Sequence, residues 1–85
     1  MNSIWFDPRA EEEFLLGVKY YEGQELGLGH CFFLAVQAAL KTVSENPQIY
    51  RKIFGDCRKC RVVRFPYALI FRERNGEIEP GLCIG

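Results

Sequence analysis

The sequence predicts an α+β fold: a short N-terminal strand and an antiparallel helix hairpin packed on a small antiparallel β-sheet, in a single domain spanning residues 1–85. Three observations predict it. Apolar residues recur at helical spacing between Ala10 and Val43. After Pro47 the pattern changes to alternation with β-branched runs. An Asn75-Gly76 pair then joins two alternating segments, and such a pair favours the tight turn of a β-hairpin because both positions need positive φ. Helices followed by a run of strands make an α+β arrangement.

Ile4-Trp5-Phe6 reads as a short edge strand. Asp7 and Pro8 start the first helix, the aspartate as N-cap and the proline where its missing N–H costs nothing. Glu11, Glu12 and Glu13 follow in the first turns, where the helix dipole favours negative charge. Ala10, Phe14, Val18 and Tyr21, with Leu15 alongside, form one apolar face that carries the helix to about Leu26. Gly27-Leu28-Gly29 makes a tight link, without the preceding strand a phosphate-binding loop needs. A second helix buries Phe32, Phe33, Val36, Ala39, Leu40 and Val43 and stops at Asn46-Pro47, because the residue before proline avoids helical angles. So short a link packs the helices antiparallel. The hairpin covers about 8–46, with Tyr20, Tyr21, Phe32 and Phe33 read as core aromatics.

The strands are expected at Tyr50–Phe54, Lys59–Phe65 and Tyr67–Arg74, with Gly55-Asp56 as a turn and Pro66 as a bend. The returning strand Glu77-Ile78-Glu79 is expected to stop almost at once at Pro80-Gly81, so that the meander covers about 50–79.

The formal net charge is zero, but the charges are segregated. Residues 1–46 carry Arg9, Lys19 and Lys41 against seven carboxylates, a net of −4. Residues 51–74 carry Arg51, Lys52, Arg58, Lys59, Arg61, Arg64, Arg72 and Arg74 against Asp56 and Glu73, a net of +6. Either a basic surface meets an acidic partner, or the basic strands face the acidic helices within the molecule. No apolar run approaches the roughly 20 residues of a membrane helix, and the N-terminus lacks a basic leader. The expectation is a cytoplasmic protein with no membrane partner.

Cys57 and Cys60 form a C-x-x-C, and His30, Cys31 and Cys83 are the other metal-ligand types nearby in composition. In an extended segment the period of two sends Cys57 and Cys60 to opposite faces, which prevents them from sharing an ion. The four cysteines read as thiols in a reducing compartment, with no metal and no cofactor.

Trp5, Ala10-x-x-x-Phe14, Tyr20-Tyr21-Glu22, Gly27-Leu28-Gly29, Phe32-x-x-x-Val36, Asn46-Pro47-x-x-Tyr50 and Val63-Arg64-Phe65-Pro66-Tyr67 occur in this order. Together they resemble the RelE/ParE toxin superfamily, in the spacing of its ParE-like branch, over about residues 5–78. The resemblance implies the toxin of a type II toxin–antitoxin module, bound by a cognate antitoxin. ParE-like members poison DNA gyrase; RelE-like members cut messenger RNA on the ribosome. The departure is at the end of the chain. Family members continue the last hairpin with a full apolar strand and a basic tail, so by this pattern the chain is C-terminally shortened.

Two functions follow. As a binding module, Arg51, Lys52, Arg58, Arg61, Arg64, Arg72 and Arg74 meet acidic partner residues while a helix-lined groove accepts an amphipathic helix. The short last strand would then leave Ala68–Arg74 as an exposed edge open to another chain, including a second copy. As a metal-independent ribonuclease, Arg61, Arg64 and Arg72 would stabilise phosphorane charge, near positions where ribonuclease members place cations. Arginine stays protonated and makes a poor general base. His30 is the only histidine and sits in the helix link; Tyr50 and Tyr67 are the remaining proton carriers. The missing tail weakens the enzymatic reading. A third alternative is a degenerate toxin fold that only binds antitoxin.

Overall fold

The computed structural model describes residues 3–84. Strand β1 (Ser3–Ile4) leads to helices α1 (Pro8–Gln24) and α2 (Leu28–Glu45). A 3-10 turn at Pro47–Ile49 precedes β2 (Lys52–Phe54), β3 (Cys57–Arg61), β4 (Tyr67–Arg74) and β5 (Glu77–Ile84). The sheet order is β1-β5-β4-β3-β2, antiparallel except for the parallel β1–β5 pair. The helix hairpin covers one face of this sheet, and the α+β arrangement expected from the sequence is the one found.

Local chemistry sets the hairpin. The Asp7 carboxylate accepts the Arg9 N–H at 3.0 Å, with Pro8 at the first helical position. One carboxylate, Glu22, reaches from α1 across the link and accepts the Gly27 N–H at 2.9 Å and the Gly29 N–H at 3.0 Å. Those amides open α2 and would otherwise lack partners. The helices approach closely here: a Cβ on Gly29 would lie 2.5 Å from the Val18 carbonyl oxygen. Helix α1 ends at Gln24, short of the expected Leu26, whose side chain is exposed.

Phe32, Phe71, Leu69, Ile78, Val36 and Val43 are fully buried between the helices and the sheet. The Tyr21 ring sits 5.0 Å from Phe32 and 4.9 Å from Phe65, centroid to centroid. Three expected core members fall elsewhere. Leu15 and Tyr20 are exposed because they lie at the margins of the helical stripe set by Phe14 and Gly17, and Phe33 is only partly covered, stacking on Phe14 at 5.6 Å.

Strand β1 covers Ser3–Ile4 where the sequence predicts Ile4–Phe6, and the strands of the meander depart from expectation in three places. Tyr50 lies outside the strand: the chain first makes the 3-10 turn, and β2 begins at Lys52. Strand β3 runs from Cys57 to Arg61 instead of from Lys59 to Phe65. Pro66 cannot donate to a ladder, and Arg64 takes a left-handed φ of 75°. The segment after Arg61 therefore forms a loop, closed by the Val62 N–H donating to the Tyr67 carbonyl at 3.0 Å.

The third departure is the largest. Strand β5 does not stop at Pro80-Gly81; it pairs with β4 over eight residues, from Arg74–Glu77 to Tyr67–Ile84. The Ile78 carbonyl accepts the Trp5 N–H at 2.9 Å, on the side away from β4. The period of two places the backbone groups of Pro80 on that same side. The missing proline N–H thus falls where β4 requires no donor, the arrangement in which a strand tolerates proline. Strand β4 is consequently paired with β5 along its whole length, and with β3 over Ala68–Phe71. The expected exposure of Ala68–Arg74 toward the last strand is overturned by this pairing.

Candidate partner-binding surfaces

The alternation of β3 and β4 sorts the basic residues by face. Cys60, Leu69 and Phe71 are buried against the helices, so Lys59, Arg61 and Arg72 project from the opposite, open face. The exposed carboxylates Glu11, Glu12, Glu13, Glu22, Glu25 and Glu45 all belong to the helical layer. The charge segregation of the sequence therefore becomes a separation across the thickness of the molecule. The basic strands do not neutralise the helices: among the described residues the one ion pair is Arg72–Glu79, 3.4 Å apart and within the sheet.

The seven arginine and lysine candidates have different fates. Arg58 is committed to structure, its guanidinium donating to the Tyr50 carbonyl at 2.6 Å and the Gln48 carbonyl at 3.4 Å. Arg72 is held by Glu79, and Arg74 lies opposite Glu77 in the ladder. Arg51, Lys52 and Arg61 gather with Lys59 and Ile53 around a shallow depression of about 440 Å³ on the open face. A smaller one of about 280 Å³ adjoins it and shares Lys59 and Arg61. Arg64 lies apart, in the loop after β3. The ribonuclease trio Arg61, Arg64 and Arg72 thus lines no common cavity among those described.

A second surface runs along α2. Leu28, Cys31, Leu34 and Ala35 face Val63, Arg64 and Phe65 across an apolar groove of about 540 Å³. Through Ala35 and Val63 it continues into a hollow of about 320 Å³ over Ala38, Ala39 and Thr42, which ends at Tyr50 and Arg61. Leu34 and Val63 are more than half exposed. Small residues on the α2 side leave room for another backbone to approach. The sequence predicts a groove at the helix hairpin, whereas this one lies between α2 and the loop after β3, where Leu34 and Val63 look like ordinary members of a helix and a strand.

The proton-transfer groups are dispersed over the molecule. His30 is exposed in the first turn of α2, in the helical layer. Burial, and next to it the neighbouring Cys60 thiol, push the Tyr50 phenol up from 10.0 to about 12. A phenol so held keeps its proton at neutral pH and packs edge-on against Phe71 at 5.6 Å. Tyr67 lines the smaller depression with Lys59 and Arg61, while its ring is engaged by Phe32 at 5.2 Å. Burial also pushes the Cys60 thiol up, with the Tyr50 contact opposing. Cys57 and Cys60 are free thiols in an extended strand, Cys60 in the core and Cys57 on the other face, as the period of two requires. No group of three or more metal-binding side chains comes together among the described residues. Among the described residues no helix is long and apolar enough to cross a membrane.

A two-helix layer thus lies on a meandering antiparallel sheet, with a basic open face and an apolar groove beside α2. Among solved structures the chain is similar to one from the chromosomal ParDE TA system of P. aeruginosa, with a TM-score of 0.67 and 19% sequence identity. The match covers 96% of this chain and 94% of that one. At this identity the likeness is one of fold. In sequence, no protein-family model and no curated protein matches the chain.

Proposed function

We propose that this chain is the single-domain toxin of a type II toxin–antitoxin module, acting in the cytoplasm by binding a cellular target such as DNA gyrase. The carrying observation is the end-to-end structural likeness to a chain of a ParDE TA system. The α2 groove suits the amphipathic helix of an antitoxin, with Arg64 and Arg61 beside it to meet acidic residues. The open basic face suits the target. Binding fits this surface better than catalysis, because cations line the larger depression without a carboxylate, imidazole or phenol.

The test is growth of a bacterial culture after induction of the chain alone, followed by supercoiling assays with purified gyrase. Growth arrest and inhibited supercoiling are expected, both relieved by Lys59→Glu with Arg61→Glu. Cleavage of ribosome-bound message would overturn the binding mechanism in favour of a ribonuclease. A folded chain that leaves growth unaffected yet binds an antitoxin would be a degenerate toxin fold.

A further inference from the structure

The register of β2 against β3 places Lys52 opposite Arg58 and Phe54 opposite Cys57. Ile53 is therefore an extra residue, so that Ile53 and Phe54 together oppose Cys57. A bulge of this kind breaks the alternation of a strand and re-aims its side chains. Cys57 lies on the open face, since it is two residues from Lys59 and three from the buried Cys60. Phe54 shares that face as the partner of Cys57, and Ile53 lines the open-face depression with Arg51, Lys52, Lys59 and Arg61. Both side chains stand in solvent, Ile53 at 43% and Phe54 at 67% exposure.

We propose that this bulge is a docking knob for an acidic protein surface with an apolar pocket, separate from the α2 groove. Two features select that occupant. The rim is wholly cationic: Arg51, Lys52, Lys59 and Arg61 line the depression, and the neighbouring Asp56 lies in the hairpin turn outside it. An acidic partner meets complementary charge here, which speeds encounter and fixes orientation. Ile53 lines the depression and Phe54 follows it on the bulge, prominent and solvent-exposed, and an aromatic that becomes covered on binding near arginine is of the composition that dominates interface energy. A polynucleotide would use the cations but leave Ile53 idle, because an aliphatic side chain offers a base no stacking face. The inference rests on the assignment of the open face to a protein target and names the chemistry of that target, from observations on this hairpin.

The test is titration of the isotopically labelled full chain with three probes, followed through the backbone amides by NMR. The first is a short peptide with Trp-Leu between two runs of glutamate; the second has Ser-Ser in place of Trp-Leu. The third is an oligouridylate of equal charge. The Trp-Leu peptide is expected to shift amides of residues 51–61 and to bind at least about tenfold more tightly than the Ser-Ser peptide. Ile53→Ser with Phe54→Ser should abolish that difference, while Phe54→Leu retains part of it. Because both side chains are exposed, the unperturbed amide spectrum of each variant shows that the fold is intact. Equal affinity for the two peptides, shifts confined to the α2 groove, or no binding would overturn the proposal. Tighter binding of the oligouridylate would reassign the face to nucleic acid. The growth assay reads the toxin assignment separately.

Discussion

In the β4–β5 hairpin, eight residue pairs run without interruption around the Asn75-Gly76 turn, whose φ angles of 54° and 77° are those a tight hairpin needs. In the β2–β3 hairpin two pairs are separated by a bulge, and all three residues of β2 are exposed. The first hairpin gives Leu69, Phe71 and Ile78 to the core and holds its one ion pair within its own ladder. The second gives the core Cys60 and exposes Ile53 and Phe54. Regular pairing here serves stability, and irregular pairing serves presentation. The two hairpins share a sheet, so each can be altered while the other acts as the control.

The sharpest way to break the contrast is to truncate one phenylalanine from each hairpin. Phe71 is 1% exposed and packs with Tyr50, so Phe71→Ala should cost about 3–5 kcal/mol of unfolding free energy. For a chain of this size that is a large share of the roughly 5–15 kcal/mol typical of native proteins. Phe54→Ala should change stability by no more than about 0.5 kcal/mol, the usual scale for exposed positions. Urea unfolding of the two variants measures both. A comparable loss for Phe54→Ala would show that the bulge is part of the core and would dissolve the distinction.

How much of this was legible beforehand follows the same division. The Asn75-Gly76 turn, the limits of β4 and the helix hairpin were readable because each depends on local chemistry or on a short-range period. The bulge was not, because it is a relation between Ile53, Phe54 and Cys57 across two strands. Strand β5 was misread for a related reason: Pro80 breaks a ladder only on the side where its N–H is required, and sequence does not reveal that side. At the candidate site, the basic residues were readable as a set. The commitment of Arg58 to two carbonyls, and the separation of Arg64 from Arg72, are tertiary facts that composition does not carry.

Alkaline pH probes the junction between the hairpins, where Tyr50 touches both Cys60 of β3 and Phe71 of β4. The unfolded chain releases a tyrosine proton near 10, whereas the folded chain holds the Tyr50 proton until about 12. Above pH 10 the unfolded state therefore binds fewer protons than the folded state, and stability falls as pH rises toward 12. Below pH 10 the contribution is fully present. Burial raises the Tyr21 phenol in the same direction, so Tyr50→Phe should flatten the decline without abolishing it. Unfolding midpoints measured across this window check the sign. A variant with an unchanged slope would place the alkaline sensitivity elsewhere and leave Tyr50 as a packing residue.

The smallest expected effect lies in the Arg72–Glu79 pair, directly opposed in the β4–β5 ladder with a 3.4 Å contact. The side chains are 43% and 30% exposed, so solvent screens the attraction. Holding both side chains in one geometry also costs conformational entropy. A double-mutant cycle with Arg72→Ala and Glu79→Ala should give a coupling of about 0.2–1 kcal/mol, weakening as salt is raised. Its functional consequence is the sharper one. Glu79 occupies the charge of Arg72, which leaves Arg51, Lys52, Lys59 and Arg61 as the cations gathered around the knob. Glu79→Gln should free Arg72, extend the positive field toward β5, and strengthen binding of the acidic peptide at low salt. A measurable coupling with no gain in affinity would confine the docking surface to the bulged hairpin and assign the ion pair to the stability of the regular one.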